Sequence, residues 1–154
     1  QNGNEIKDSK YITQYQTEKE EIKPELTELS RLDIKVGKII DIKVHPEADS
    51  LYVEKVDVGE SEPRTIISGL VKYCKIEELQ NKTVIVLCNL KPRTLKGITS
   101  HGMLLCASNS DHSQVDPLQP PINSKIGEFV RFSGHLYEPV EPGNRVTKAF
   151  ERVV

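Results

Sequence analysis

Tryptophan is absent from this chain, and aromatic residues are scarce: five Tyr and three Phe in 154 residues. Cysteine is nearly absent too. Cys74, Cys88 and Cys106 are an odd number with no close pairing, so a disulfide framework is excluded and free thiols in a reducing compartment are expected. No apolar run approaches the roughly 20 residues a membrane helix requires, so a membrane role is not expected. Gln1–Lys10 is polar and predicts no secretory signal. Catalytic signatures are missing as well: there is no P-loop, no G-x-G-x-x-G and no Ser framed as a nucleophile elbow. His101 with Cys88 and Cys106 lacks C-x2-C or H-x3-H spacing, so no zinc site is expected. His45 and Asp49 sit in a Pro-containing turn, which favours structure over acid–base chemistry. We expect neither an enzyme nor a cofactor.

One further absence is informative. No Asp or Glu occurs from Leu79 to Ser110, while Lys82, Lys91, Arg93 and Lys96 do, so this window carries +4 in a chain of net charge −2. The surplus is local: residues 1–30 carry −3, residues 31–110 carry +2 and residues 111–154 carry −1. For a charged partner, such asymmetry matters more than the total. Apolar runs flank the cationic stretch, Val84–Cys88 before it and Met103–Ala107 after it. Two strands therefore deliver a basic loop, Asn89–Gly102, to the surface.

The rest of the chain supplies a support for that loop. Residues 1–30 are polar, with the cluster Thr17–Glu21 and the helix-breaking Pro24, and are expected to be a linker. Leu32–Val44 alternates apolar and polar residues, the period of a half-buried strand, with a bulge or bend expected at Gly37–Lys38. A long first strand with a Gly kink suits a small barrel in which it serves both sheets. Strands are expected at 51–58, 64–68, 83–88 and 103–107, with a short helix at Ile76–Gln80 stopped by Asn81. This order is that of the OB-fold, an all-β five-stranded Greek-key barrel with a short helix between strands three and four. Ile126–Phe132 is expected to add one more short strand at the barrel edge. The domain is placed at 31–133, with a C-terminal extension at 134–154 in which Val146 and Phe150 are possible anchors.

Five motifs occur in one order: Leu32–Ile39 (LDIKVGKI), His45–Tyr52 (HPEADSLY), Ser68–Leu70 (SGL), Cys88–Pro92 (CNLKP) and Gly97–Met103 (GITSHGM). Together they resemble the tRNA-binding domain of the endothelial-monocyte-activating polypeptide II type, over about Arg31–Arg131. That module is found on eukaryotic tyrosyl- and methionyl-tRNA synthetases and on multisynthetase-complex cofactors. The resemblance implies an OB-fold that binds tRNA without reading one anticodon and retains it for a linked or partnered synthetase in the cytoplasm. Longer members continue past a Lys-rich stretch into a second lobe. Here the equivalent region, Glu141–Lys148, has only two basic residues. This implies a partial second lobe or a dimer contact, and leaves a protein-interaction or homodimerisation module as the alternative function.

The candidate contacts follow. Lys91, Arg93 and Lys96 neutralise phosphates and release counterions, giving affinity without sequence reading. Ser100 offers a hydroxyl to a phosphate or 2′-OH or simply serves the turn, and Met103 offers a soft apolar contact or joins the core. Asn89 either bonds a base edge or caps the turn, and Lys35, Lys38 and Lys72 extend the basic track or only aid solubility. With no aromatic ring in the loop, recognition of a folded RNA through backbone and shape is favoured over base stacking.

Overall fold

In the computed structural model, residues 24–153 are described; most of the expected linker, residues 1–23, lies outside them. The main sheet contains β1 (Ile34–His45), β2 (Ala48–Asp57), β3 (Arg64–Ser68), β4 (Thr83–Leu87) and β7 (Met103–Leu104), in the order β3-β2-β1-β4-β7. Two small hairpins join it, β5 (Arg93–Leu95) with β6 (Ile98–Ser100) and β8 (Cys106–Ser108) with β9 (Val115–Pro117). Helix α1 (Ile76–Leu79) lies between β3 and β4, and α2 (Asn144–Val153) ends the described chain.

β1 does serve two partners. Ile34–Lys38 pairs with β4, and Lys38–His45 pairs with β2. Gly37 stands at the crossover because a side chain there would collide: a Cβ would meet Val56 Cγ1 at 3.0 Å and Val86 Cγ2 at 3.1 Å. The bulge itself falls two residues later, between Ile39 and Asp41. It shifts the phase, so Ile39 and Ile42 are buried while Ile40 and Val44 face outward, although Ile40, Ile42 and Val44 share one face in the plain alternation. His45 follows Ile42 inward and is 2% exposed.

β4 explains how the core is divided. Its run is apolar on both faces. Val84 and Val86 join Ile39, Val56, Ile66 and Leu79 in the barrel interior. Ile85 and Leu87 point the other way and pack with Leu32, Ile34, Val146 and Ala149. Burying a side chain of this size contributes roughly 1.5–3 kcal/mol, and a second apolar face would be unfavourable in water. Helix α2 covers it, with Val146 and Ala149 both at 0% exposure. This helix was not expected in so Pro- and Gly-rich a tail.

No continuous ladder closes the barrel between β3 and β7. The gap is bridged by single bonds: His101 N–H donates to Thr65 O (2.8 Å), and Ile67 N–H donates to Ser100 Oγ (2.9 Å). The expected extra strand is present only as an edge pairing, with Gly127 N–H on Val36 O, Val36 N–H on Glu128 O and Val130 N–H on Ile34 O at 2.8–2.9 Å. It occupies the side of β1 that β4 leaves open. Residues 24–30 are likewise held in place. Glu25 exchanges backbone bonds with Gly134 and Leu136, and Ser30 is 2% exposed beside a 3-10 turn at Leu29–Arg31. The described end of the expected linker is thus packed on the body through ordinary backbone pairing.

Glu54 departs from the apolar pattern of β2. It lies inward between Tyr52 and Val56, is 0% exposed, and receives a hydrogen bond from Ser68 Oγ on one carboxyl oxygen. The other oxygen, Oε2, has no hydrogen-bond partner among the described residues. Burial pushes this carboxyl up to about 8, against the smaller lowering effect of Ser68. Among the described residues no helix is long and apolar enough to cross a membrane.

Candidate nucleic-acid interface

The basic loop is a built element. Between β4 and β7 the chain folds the β5–β6 hairpin, which turns on Lys96 (φ 45°) and Gly97 (φ 85°). Two consecutive positive φ angles are those of a type I′ turn, whose twist matches the flanking strands and whose second position suits Gly. Thr94 and Thr99 bond across the hairpin through their hydroxyls at 2.9 Å. The sequence placed a loop here; an X-Gly pair flanked by short β-branched runs was the available sign of a hairpin.

Three internal contacts fix the hairpin to the barrel. His45 Nδ1 accepts the Glu47 N–H at 3.0 Å, which leaves the ring proton on Nε2 to donate to Leu95 O at 3.0 Å. The turn histidine is therefore a buried strut beneath the hairpin. Lys96 Nζ donates to Glu47 O at 3.3 Å, so the tip rests on the β1–β2 turn. Ser100, 7% exposed, accepts the Ile67 N–H and donates to Gly102 O at 3.1 Å.

Of the two readings left open for each of Ser100 and Asn89, these bonds show the structural role. Ser100 spends its hydroxyl inside the protein and has no free donor for a phosphate. Asn89 is 5% exposed; its Oδ1 accepts the Asp33 N–H (2.9 Å) and its Nδ2 donates to Arg31 O (2.8 Å) and Val140 O (2.9 Å). Both amide hydrogens are used, so Asn89 knits the loop's root to two other segments. Their physical reason is the same: a buried polar group takes the nearest backbone partner.

The cations fare differently from one another. Lys91 and Arg93 are exposed and form no ion pair with a carboxylate among the described residues, and neither does Lys96. Lys35 pairs with Asp33 (3.6 Å) and lies 5.4 Å over the Phe129 ring, so its charge is already partly answered. Lys38 sits at the β1 crossover between Asp57 and Thr83, and Lys72 is exposed on the turn after β3. Lys91, Arg93, Ser100 and Met103 come together around a groove of about 280 Å³, with Ile67 and Leu95 in its wall. Lys35, Lys38, Lys72 and Asn89 do not line it. Thr147 of α2 does, a residue that no motif or charge pattern singles out.

The groove thus has an apolar floor, two unanswered cations on its rim and no acidic lining. It suits an anion carried on a partly apolar framework, as a sugar-phosphate chain is. A family described as a putative tRNA binding domain matches residues 34–129. The chain belongs to this family. The tRNA-binding-domain match opens on the first residue of β1 and ends on Phe129, so it includes the whole basic loop and stops short of α2.

Relatives agree. The chain is 50% identical over 125 residues to a probable methionine–tRNA ligase of Oryza sativa subsp. japonica, a match covering 81% of this chain and 16% of that protein. It is 50% identical over 134 residues to the cytoplasmic tyrosine–tRNA ligase of Gallus gallus, covering 84% of this chain and 25% of that one. The chain therefore spans about a quarter or less of the length of these curated relatives. Among solved structures, the C-terminal domain of Plasmodium vivax p43 superposes with a TM-score of 0.68 at 35% identity, over 80% of this chain and 76% of that one.

Proposed function

We propose that this chain is a non-catalytic accessory domain that binds tRNA without sequence specificity and retains it for a cytoplasmic aminoacyl-tRNA synthetase of the tyrosyl or methionyl type. One observation carries the reading: Lys91 and Arg93 flank a single groove with no carboxylate in its lining. Exposed cations of this kind bind phosphate by releasing counterions, so affinity falls steeply with salt. The absence of an aromatic side chain in the groove lining supports shape and backbone contacts over stacking. Filter binding of several purified tRNAs across a salt series tests it. Retention of all of them at low salt, with similar steep salt slopes, is expected. No retention at low salt refutes the reading.

A second reading rests on a different surface. Ile122 is 92% exposed, and Ile126, Phe129 and Phe132 are 38–45% exposed along the segment that edges β1. Such a row suits a protein contact, either a second copy or a synthetase body. Light scattering after size exclusion, with and without tRNA, separates the two: a tight dimer indifferent to RNA favours the protein-interaction role.

A further inference from the structure

We infer that Arg64, held by Glu60, is a positioning residue for the basic loop: one guanidinium clamps the loop's entry and exit. The inference rests on the tRNA-binding reading above and extends it to a residue outside the groove. Arg64 opens β3, and its guanidinium makes four hydrogen bonds. Nε and Nη2 donate side-on to the two carboxylate oxygens of Glu60, at 2.6 and 2.9 Å. Nη1 donates to Cys88 O at 2.6 Å and to His101 O at 3.0 Å. Cys88 is the residue after β4, and His101 lies just before β7. The twelve-residue excursion between them carries Lys91, Arg93 and Lys96. The two carbonyls are thus tied at one point.

The chemistry favours a clamp over a phosphate contact. Four of the five guanidinium N–H groups are occupied, and the charge is answered by a bidentate carboxylate, the strongest such pairing. That pairing holds Arg64 in its charged form and keeps the Glu60 carboxyl below its ordinary range. A lysine could not substitute, because one ammonium cannot present a fork to Glu60 and a second pair of donors to two carbonyls. The clamp also acts where the barrel is weakest. β3 and β7 share no ladder, and the His101 N–H bond to Thr65 O lies beside the Arg64 bond to His101 O. Arg64 therefore stabilises the bridge that closes the barrel under the loop.

Three variants of the full chain test this: Arg64→Lys, Glu60→Ala and, as the control on the groove, Lys91→Ala. Each is measured for tRNA affinity across salt and for amide hydrogen exchange. Arg64→Lys keeps the charge, yet tRNA binding should weaken about tenfold, and the His101 and Ile67 amides should exchange faster while β1–β2 amides keep their protection. Glu60→Ala removes a negative charge from an exposed turn. Simple electrostatics expects tighter tRNA binding; the clamp expects binding about three- to fivefold weaker, with the same amides loosened. Glu60→Ala also covers the case in which changes at Arg64 prevent folding. If Arg64→Lys binds tRNA like the parent, or if Glu60→Ala binds more tightly with loop amides unchanged, the clamp is overturned. If Lys91→Ala leaves affinity and salt slope untouched, the groove reading fails, while the exchange data still decide whether Arg64 orders the loop.

Discussion

The basic loop and the C-terminal helix both dock on the barrel and both line the groove, yet opposite means hold them there. The loop is fastened by polar bonds: Asn89 to three backbone groups, Ser100 to two, His45 to Leu95 O. The helix is fastened by apolar burial, Val146 and Ala149 against Ile85 and Leu87. Polar fastening leaves Lys91 and Arg93 free on the outside, because Asn, Ser and His, with Lys96 at the tip, do the holding. Apolar fastening gives α2 bulk but little chemistry, and only Thr147 reaches the groove. An interface that must meet a polyanion gains from this division, since Lys91 and Arg93 on the groove take no part in the anchoring.

That contrast can be broken at its strongest point first. Val146→Asp places a charge against Leu87 and Ile85 inside an apolar cluster. We expect a loss on the order of 3–5 kcal/mol in urea unfolding, by the usual cost of an unpaired buried charge. Next, Lys91, Arg93 and Lys96 changed together to Ala should weaken every tRNA alike, by on the order of 100-fold at moderate salt, and lower the salt slope by about three. Thermal stability should stay close to the parent's, which is where loop and helix differ most. Third, Asn89→Ala leaves the Asp33 N–H and two carbonyls unpaired, and about 2 kcal/mol of stability should be lost. Because Asn89 ties the loop to Val140, weaker tRNA binding should accompany that loss.

The fourth expectation concerns the barrel wall beneath both regions. Glu54 holds its proton to about pH 8 when folded, whereas an ordinary Glu ionises near 4.5. Between those values the unfolded chain has released a proton that the folded chain keeps. Stability from this group is therefore fully present below about pH 4.5, falls as pH rises, and levels off above about pH 8, with a slope of at most about 1.4 kcal/mol per pH unit. Glu54→Gln should flatten the profile between pH 5 and 8; a slope identical to the parent's would show that Glu54 is not its source. The smallest effect belongs to Thr147→Ala, where we expect tRNA affinity to change by about twofold or less, since a lone exposed-side hydroxyl adds little to a salt-driven interaction.

Legibility followed chemistry. Strand β3 was readable to the residue, and Asn81 as the stop of α1 agrees with its left-handed φ of 65°. The basic loop was readable because an acid-free window is rare. What escaped was relational. The continuous apolar run of β4 signalled two buried faces, and Val146 and Phe150 were candidate anchors, but nothing in Asn144–Val153 showed that they belong to a helix covering β4. For Asn89 and Ser100 the residue type left a contact and a turn role both open; only the backbone groups beside them showed which internal bonds they make. Arg64 was one arginine among many until two carbonyls from distant positions met it.

From residue order alone came the strand alternation, the Gly37 crossover, the excess of positive charge between residues 79 and 110, and the five motifs that mark the family. These are local properties, fixed by side-chain type and spacing. Folding in three dimensions settled which cations stay unanswered, which polar groups are consumed, and that α2 walls the groove. Those outcomes depend on the meeting of segments far apart in the chain, where desolvation makes each buried donor seek an acceptor that no short stretch of sequence can specify.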